Sequence, residues 1–467
     1  MGVLPKCFAN FYPHTLFNCM KRILSFLLLL GCISFGQAQE KALSIPYTLH
    51  KLDNGLTVIL HEDHTVPMVT VDVWYHVGSS YEKVKRTGFA HLFEHIMFEG
   101  SGNVKEGDFD NFLEAVGGNN NGSTTTDRTN YYETLPSNAL DIALFLESDR
   151  MGYLPDAMTP GKVDGQRDVV KNERRQSYEN RPYGMAFQTI VENIFPKDHP
   201  YNWPVIGYMD DLTAASYEDV LEFFKRYYTP NNAVLVIAGD IEPMKALEKV
   251  KHWFHEIPAG QPVVRPTAPP VVVNHPTPIV LEDNVQLPRL YLTYVTPARY
   301  TAGDAEMDVV ADLLSNGKNS RLYKRLVYEL QIAQNVVAYQ NGMALNSLFQ
   351  IQVTARPGVV LTQIQTVIDE EIAKLSNQAP SERELQRVIN QNETNILAQM
   401  ESSMAKAELL QAYYRFTGNP DWLNEDLSRY KAITPNDVSA VTRTYLDPQK
   451  RLILSVVPKG KTELAVR

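Results

Sequence analysis

The chain has 467 residues, a formal net charge of −10, and 44% hydrophobic against 21% charged residues. That balance excludes wholesale disorder and leaves room for about two to four domains. The acidic excess argues against a nucleic-acid partner, and the cysteines (Cys7, Cys19, Cys32) all precede the body, which therefore has neither a disulfide framework nor a thiol nucleophile.

The first 38 residues read as an export signal. Lys21-Arg22 leads into an apolar run, Ile23 to Phe35, and then Gly36-Gln37-Ala38, a small-x-small cleavage site. Met20 starts a better-formed leader than Met1. The run is too short to span a bilayer. The expected destination is the periplasm, where a body without thiols is at home. Leu29-Leu30-Gly31-Cys32 has lipobox character, so a membrane-anchored lipoprotein is the alternative.

Alternating residues predict strands over 56–62 and 68–76, joined as a hairpin. Helices follow over 88–99 and 108–116. The stretch 121–134 is polar, Thr-rich and carries Tyr131-Tyr132, which predicts an exposed strand. Helices are predicted over 140–151 and 163–178. After a break, strands come at 279–283 and 289–296, helices at 305–315 and 319–330, strands near 332–341 and 347–355, and helices at 359–376 and 381–415.

Seven prolines fall between residues 258 and 278, a stiff linker between two near-equal halves. The halves echo each other. Val58-Ile59-Leu60 runs through Glu62-Asp63 to Pro67, as Ile279-Val280-Leu281 runs through Glu282-Asp283 to Pro288. Asp219-Val220, Tyr227 and Pro230 recur as Asp437-Val438, Tyr445 and Pro448, each 218 residues on. The ordered series predicts a duplicated unit of about 220 residues. The expected class is α+β, with two similar domains, each a mostly antiparallel sheet with helices packed on one face. The predicted layout is 41–257, linker 258–278, and 279–460.

The chemistry concentrates in His91-Leu92-Phe93-Glu94-His95. On a helix these two imidazoles and the carboxylate fall within an arc of about 100°. Two imidazoles one turn apart can hold one metal ion. Glu94, beside them, is placed to take a proton from the attacking water rather than to ligate. The flanking Phe89, Leu92, Phe93, Ile96 and Met97 imply burial, and buried ionisable groups need partners. A catalytic zinc site usually adds a third protein ligand from another element. Helix 163–178 and its end offer Glu173 and Glu179; spacing from Val169-Val170 favours Glu173. His61 and His64 read as a solvated turn rather than a second metal site.

His91-x-x-Glu94-His95 with the later Val169-Val170-Lys171-Asn172-Glu173-Arg174-Arg175 resembles the pitrilysin/insulinase (inverzincin) metallopeptidases, in particular the short, processing-peptidase-like branch. Asn54-Gly55-Leu56, Asn121 to Thr124 and Thr129-x-Tyr131 share in the resemblance, which covers about residues 45–460. It implies one zinc ion per chain on His91, His95 and Glu173, with Glu94 as general base. It also implies that Asn121, Gly122, Ser123 and Thr124 form an edge strand that holds extended peptide substrates by their backbone.

Two departures stand out. A second glutamate common in the family is here Gln166, close to the zinc ligands but uncharged. The Arg and Tyr that active members carry in the second half fall on Val327 and Gln334, and that half reads Asp312-Leu313-Leu314-Ser315-Asn316 near its counterpart of the metal motif. The resemblance therefore implies the zinc-bearing member of a homo- or heterodimer whose partner supplies the Arg/Tyr pair. A non-catalytic scaffold or peptide-binding subunit with the same fold is the alternative.

Overall fold

The computed structural model describes residues 43–466. The expected signal peptide and Cys32 lie outside the described residues. Two mixed sheets organise the body. The first contains β1 (Thr48–Lys51), β2 (Thr57–Glu62), β3 (Met68–Tyr75), β4 (Asn119–Thr124), β5 (Thr129–Pro136) and β6 (Ala233–Gly239), in the order β1-β2-β6-β3-β5-β4. The second contains β7 (Thr277–Asp283), β8 (Arg289–Thr296), β9 (Ala333–Asn341), β10 (Ser347–Ala355) and β11 (Leu452–Pro458), in the order β7-β11-β8-β10-β9. With β1 set aside the orders coincide. The β2/β6 and β7/β11 pairs are parallel and the others antiparallel. Two similar α+β domains thus carry the fold.

The middle strands are covered on both faces. In β3, Val69, Val71 and Val73 enter the core of the first half, while Thr70 and Asp72 on the opposite face are equally buried. That second face is closed from the other half, by α4 (Ser403–Thr417). Ser403 shares a hydrogen bond with Thr70 (2.8 Å), and Gln411 Nε2 donates to Asp72 O and Val234 O (3.0 and 2.9 Å). The exchange is mutual. Helix Ala186–Ile194 of the first half buries Ile190, Val191 and Ile194 with Tyr291, Leu452, Leu454 and Val456 of the second sheet. Each sheet keeps its own helices on one face and borrows one for the other.

Local differences from the sequence expectations have physical causes. Residues 121–134 are two strands, not one. A turn at 125–128, closed by Thr125 N donating to Arg128 O (2.8 Å), splits them, and β5 is buried because it pairs with both β3 and β4. The predicted helix 319–330 holds a π-helical segment, Tyr323–Glu329. The predicted helix 381–415 is broken at 400–402 into α3 (Glu382–Gln399) and α4, because Ser402 accepts a hydrogen bond from Ala405 N and caps a new start. Residues 258–276 carry no helix or strand.

Candidate metal centre

Helix α1 (Phe89–Ile96) begins at Gly88, whose φ of 86° lies in the left-handed region. Its first turn has no capping side chain of its own. A carboxylate from outside supplies the cap: Glu82 accepts from Gly88 N (2.9 Å) and Ala90 N (2.8 Å). Burial pushes Glu82 up to about 8, against the pull of those two N–H donors. At mid-helix, Tyr131 donates to Phe93 O (3.1 Å), and the Phe93 ring stacks on Phe223 and Tyr228. Leu92, Phe93 and Ile96 are fully buried, so the remaining face carries His91, Glu94 and His95.

The third acidic group arrives on α2 (Pro160–Arg174), started by Pro160 and by Thr159, which accepts from Lys162 N. Its last turn holds Glu173 opposite α1. Glu173 Oε2 stands 3.6 Å from His91 Nε2 and 3.3 Å from His95 Nε2. Ligand atoms of the three residues all lie within 4.8 Å of one another. Two atoms bonded at ~2.0–2.1 Å to one tetrahedral zinc ion stand roughly 3.3 Å apart, so both nitrogen–carboxylate spacings fit. Burial lowers the pKa of His91, which favours the neutral imidazole that ligates. Glu173 is held below the usual carboxylate range, first by its hydrogen bond with His95. The donor set, two imidazoles and a carboxylate, suits zinc.

Glu179, the other candidate from the sequence, is not part of this group. It lies in a π-helical turn, Arg175–Glu179, and pairs with Arg174 Nε at 3.4 Å. Val169, used in the spacing argument, is exposed, whereas Val170 is buried. Gln166 is committed to a residue just beyond the end of α1. It donates to Glu99 Oε1 (2.5 Å), while Lys162 donates to Glu99 O (2.6 Å). His64 sits exposed between Glu62 and Asp240 (2.8 and 2.5 Å), as expected, whereas His61 is not in a solvated turn: it is buried on β2, with Nδ1 2.7 Å from Pro46 O.

Strand β4 ends the first sheet, and its face carrying Gly122 and Thr124 rests on α1. Thr124 Oγ1 donates to Glu94 Oε2 at 2.6 Å. A Cβ added at Gly122 would meet Glu94 Cγ at 3.2 Å, so only glycine leaves that carboxylate undisturbed. Ser123 points the other way: it donates to Asn130 Oδ1 (2.7 Å) and takes Arg128 on its carbonyl (2.9 Å). Asn121 is exposed and accepts from Gly122 N (2.8 Å). Sequence reasoning missed Glu82 and the Glu94–Thr124 bond. The apolar first turn Phe89-Ala90 signals that some cap must come from elsewhere, but not from where.

The class is a fold of two like α+β domains, the first of which carries a His/His/Glu cluster. Residues 57–203 match the family model described as insulinase (peptidase family M16), and residues 214–392 match the peptidase M16 inactive domain. The chain belongs to the insulinase family, peptidase family M16. It is 30% identical over 369 residues to the zinc protease PqqE of Helicobacter pylori, covering 78% of this chain and 82% of that one. A crystal structure of a protease from Helicobacter pylori superposes with a TM-score of 0.83 at 26% identity, covering 88% of this chain and 99% of the other. A probable mitochondrial-processing peptidase subunit beta of Arabidopsis thaliana is 22% identical, over 89% of this chain and 79% of its own length.

Proposed function

We propose that this chain is a zinc-dependent endopeptidase or oligopeptidase that hydrolyses extended or unfolded peptides. The observation that carries the reading is the convergence of His91, His95 and Glu173 from two helices, with Glu94 beside them under the edge strand β4. Zinc held by the three would supply Lewis-acid polarisation of the scissile carbonyl. The chain's own groups do the rest. Asn121 to Thr124 offer a strand edge along which a peptide backbone can lie. Thr124 holds Glu94 in place. Glu94 takes a proton from the attacking water and returns it to the departing amine.

Several finer points belong to the same proposal. The N-terminal leader sends the protein to the periplasm, free or lipid-anchored. The peptidase half is 41–257, the linker 258–278 and the second half 279–460. Val327 is partly buried against the second core and Gln334 is exposed. Neither offers a cation or a phenol. We therefore assign the chain to a two-chain enzyme, its homo- or heterodimeric partner supplying the Arg/Tyr pair, in line with a relative named as a processing-peptidase subunit.

The test is zinc per chain by elemental mass spectrometry, beside a Glu173→Gln variant, followed by hydrolysis of a quenched unfolded peptide. One zinc in the parent and a clear loss in the variant is the expected result. Zinc without hydrolysis by the lone chain supports the missing partner. No zinc in either supports the scaffold reading.

A further inference from the structure

At the joint between the two halves lies a polar concavity of about 230 Å³. Arg265 from the proline-rich stretch, Arg299 from the turn after β8, and Arg415 from α4 line it, with Tyr81, Asp127 and Phe416. Arg415 is 6% exposed, its Nε has no hydrogen-bond partner, and its Nη2 reaches only Tyr81 Oη, at 3.3 Å. Arg299 lies over the rings of Tyr300 and Phe416 (5.4 and 5.3 Å), contacts that attract a cation without neutralising it. Among the described residues none of the three makes an ion pair.

Asp127 is the one carboxylate in the lining. It is committed elsewhere: Oδ1 accepts from Tyr201 Oη (2.7 Å) and Oδ2 from Ala344 N (2.9 Å). Three guanidinium groups and one carboxylate leave an excess of two positive charges. Arg415 is the buried cation among them and demands compensation, and the guanidinium fork matches an oxyanion's paired oxygens. At about 30 Å³ per water, the concavity has room for a tetrahedral ion and some of its hydration.

We propose that this concavity binds a phosphate-class dianion through Arg265, Arg299 and Arg415. The three come from the linker, the second sheet's rim and the borrowed helix, so a bound dianion ties the halves together. The concavity is open, so the phosphate group can belong to a free ion or to a monoester.

The test is thermal denaturation and calorimetry of the full chain with sodium phosphate, against sodium chloride at equal ionic strength. Phosphate at millimolar concentration should raise the melting temperature where chloride does not. Arg265→Gln and Arg299→Gln alter exposed side chains, so folding is not at stake, and each should weaken phosphate about tenfold. A Glu173→Gln variant should keep the response, which separates this site from the metal cluster and from the proposed activity. Methyl phosphate acting like phosphate assigns the monoester source, and phosphate acting alone assigns the free ion. An unchanged response in the Arg265→Gln/Arg299→Gln double variant, an equal response to acetate, or no response to phosphate overturns the proposal.

Discussion

Helix Phe89–Ile96 and helix Asp304–Ser315 occupy the same place in the two halves, each between the second and third strands of its repeat and each starting after a left-handed glycine, Gly88 or Gly303. Counted from those glycines, His91, Glu94 and His95 correspond to Glu306, Val309 and Val310. This replaces the match to Asp312–Asn316 drawn from sequence alone. In the first half the counterpart positions meet Glu173 and the polar edge strand β4. In the second, Val309 and Val310 are fully buried. The same scaffold thus makes either a ligand-bearing face or a plain core contact, and the choice rests on which face is left uncovered.

Glu94→Gln tests the first half most severely. The amide keeps its contact with Thr124 but cannot take a proton, so peptide hydrolysis should fall by about 10²–10⁴-fold with zinc content unchanged. Activity near the parent level, measured with whatever partner the enzyme needs, would remove Glu94 from the chemistry. Grafting the motif onto the second half (Glu306→His, Val309→Glu, Val310→His) probes the other side. Two polar groups would enter fully buried positions, and urea unfolding should show a loss of about 3 kcal/mol or more without added zinc uptake. Gly122→Ala should lower kcat about tenfold while leaving zinc in place, because the new methyl presses on Glu94 Cγ.

The smallest effect concerns Asp308, in the position that Phe93 holds in the first half. Burial, then the neighbouring Asp304, raises Asp308 to about 7. A raised carboxyl stabilises the fold fully below its unfolded value, and that contribution is lost as pH rises towards 7. Asp308 lines a cavity of about 820 Å³, which softens its burial. Melting followed from pH 5 to 8 should therefore fall more steeply for the parent than for Asp308→Asn, by about 1 kcal/mol across the range. Parallel curves would show that Asp308 titrates normally.

Much of the site was legible because its signals are local. His91, Glu94 and His95 share one helical face by spacing alone. The duplicated strand order was foreshadowed by residues recurring 218 positions apart. What stayed hidden depends on distant segments. Glu82 caps α1 across a loop, Gln166 donates to Glu99, and Thr124 spends its hydroxyl on Glu94. The polar 121–134 stretch read as exposed, yet Asn130 and Glu133 are fully buried. Asn130 donates there to Asp72 and Glu408, and Glu133 Oε1 accepts from Arg150, partners that no pattern of spacing announces.

By itself the sequence determined the α+β class and the helical face bearing His-x-x-Glu-His, because periodicity and spacing act over one or two turns of chain, and the twofold repeat, because matching residues recur in order 218 positions apart. Only the tertiary structure decided that Glu173 rather than Glu179 meets the histidines, and that each sheet closes its second face with a helix from the other half. Those outcomes depend on contacts between residues tens to hundreds of positions apart, where burial and complementary polar partners select one arrangement among many that the local pattern allows.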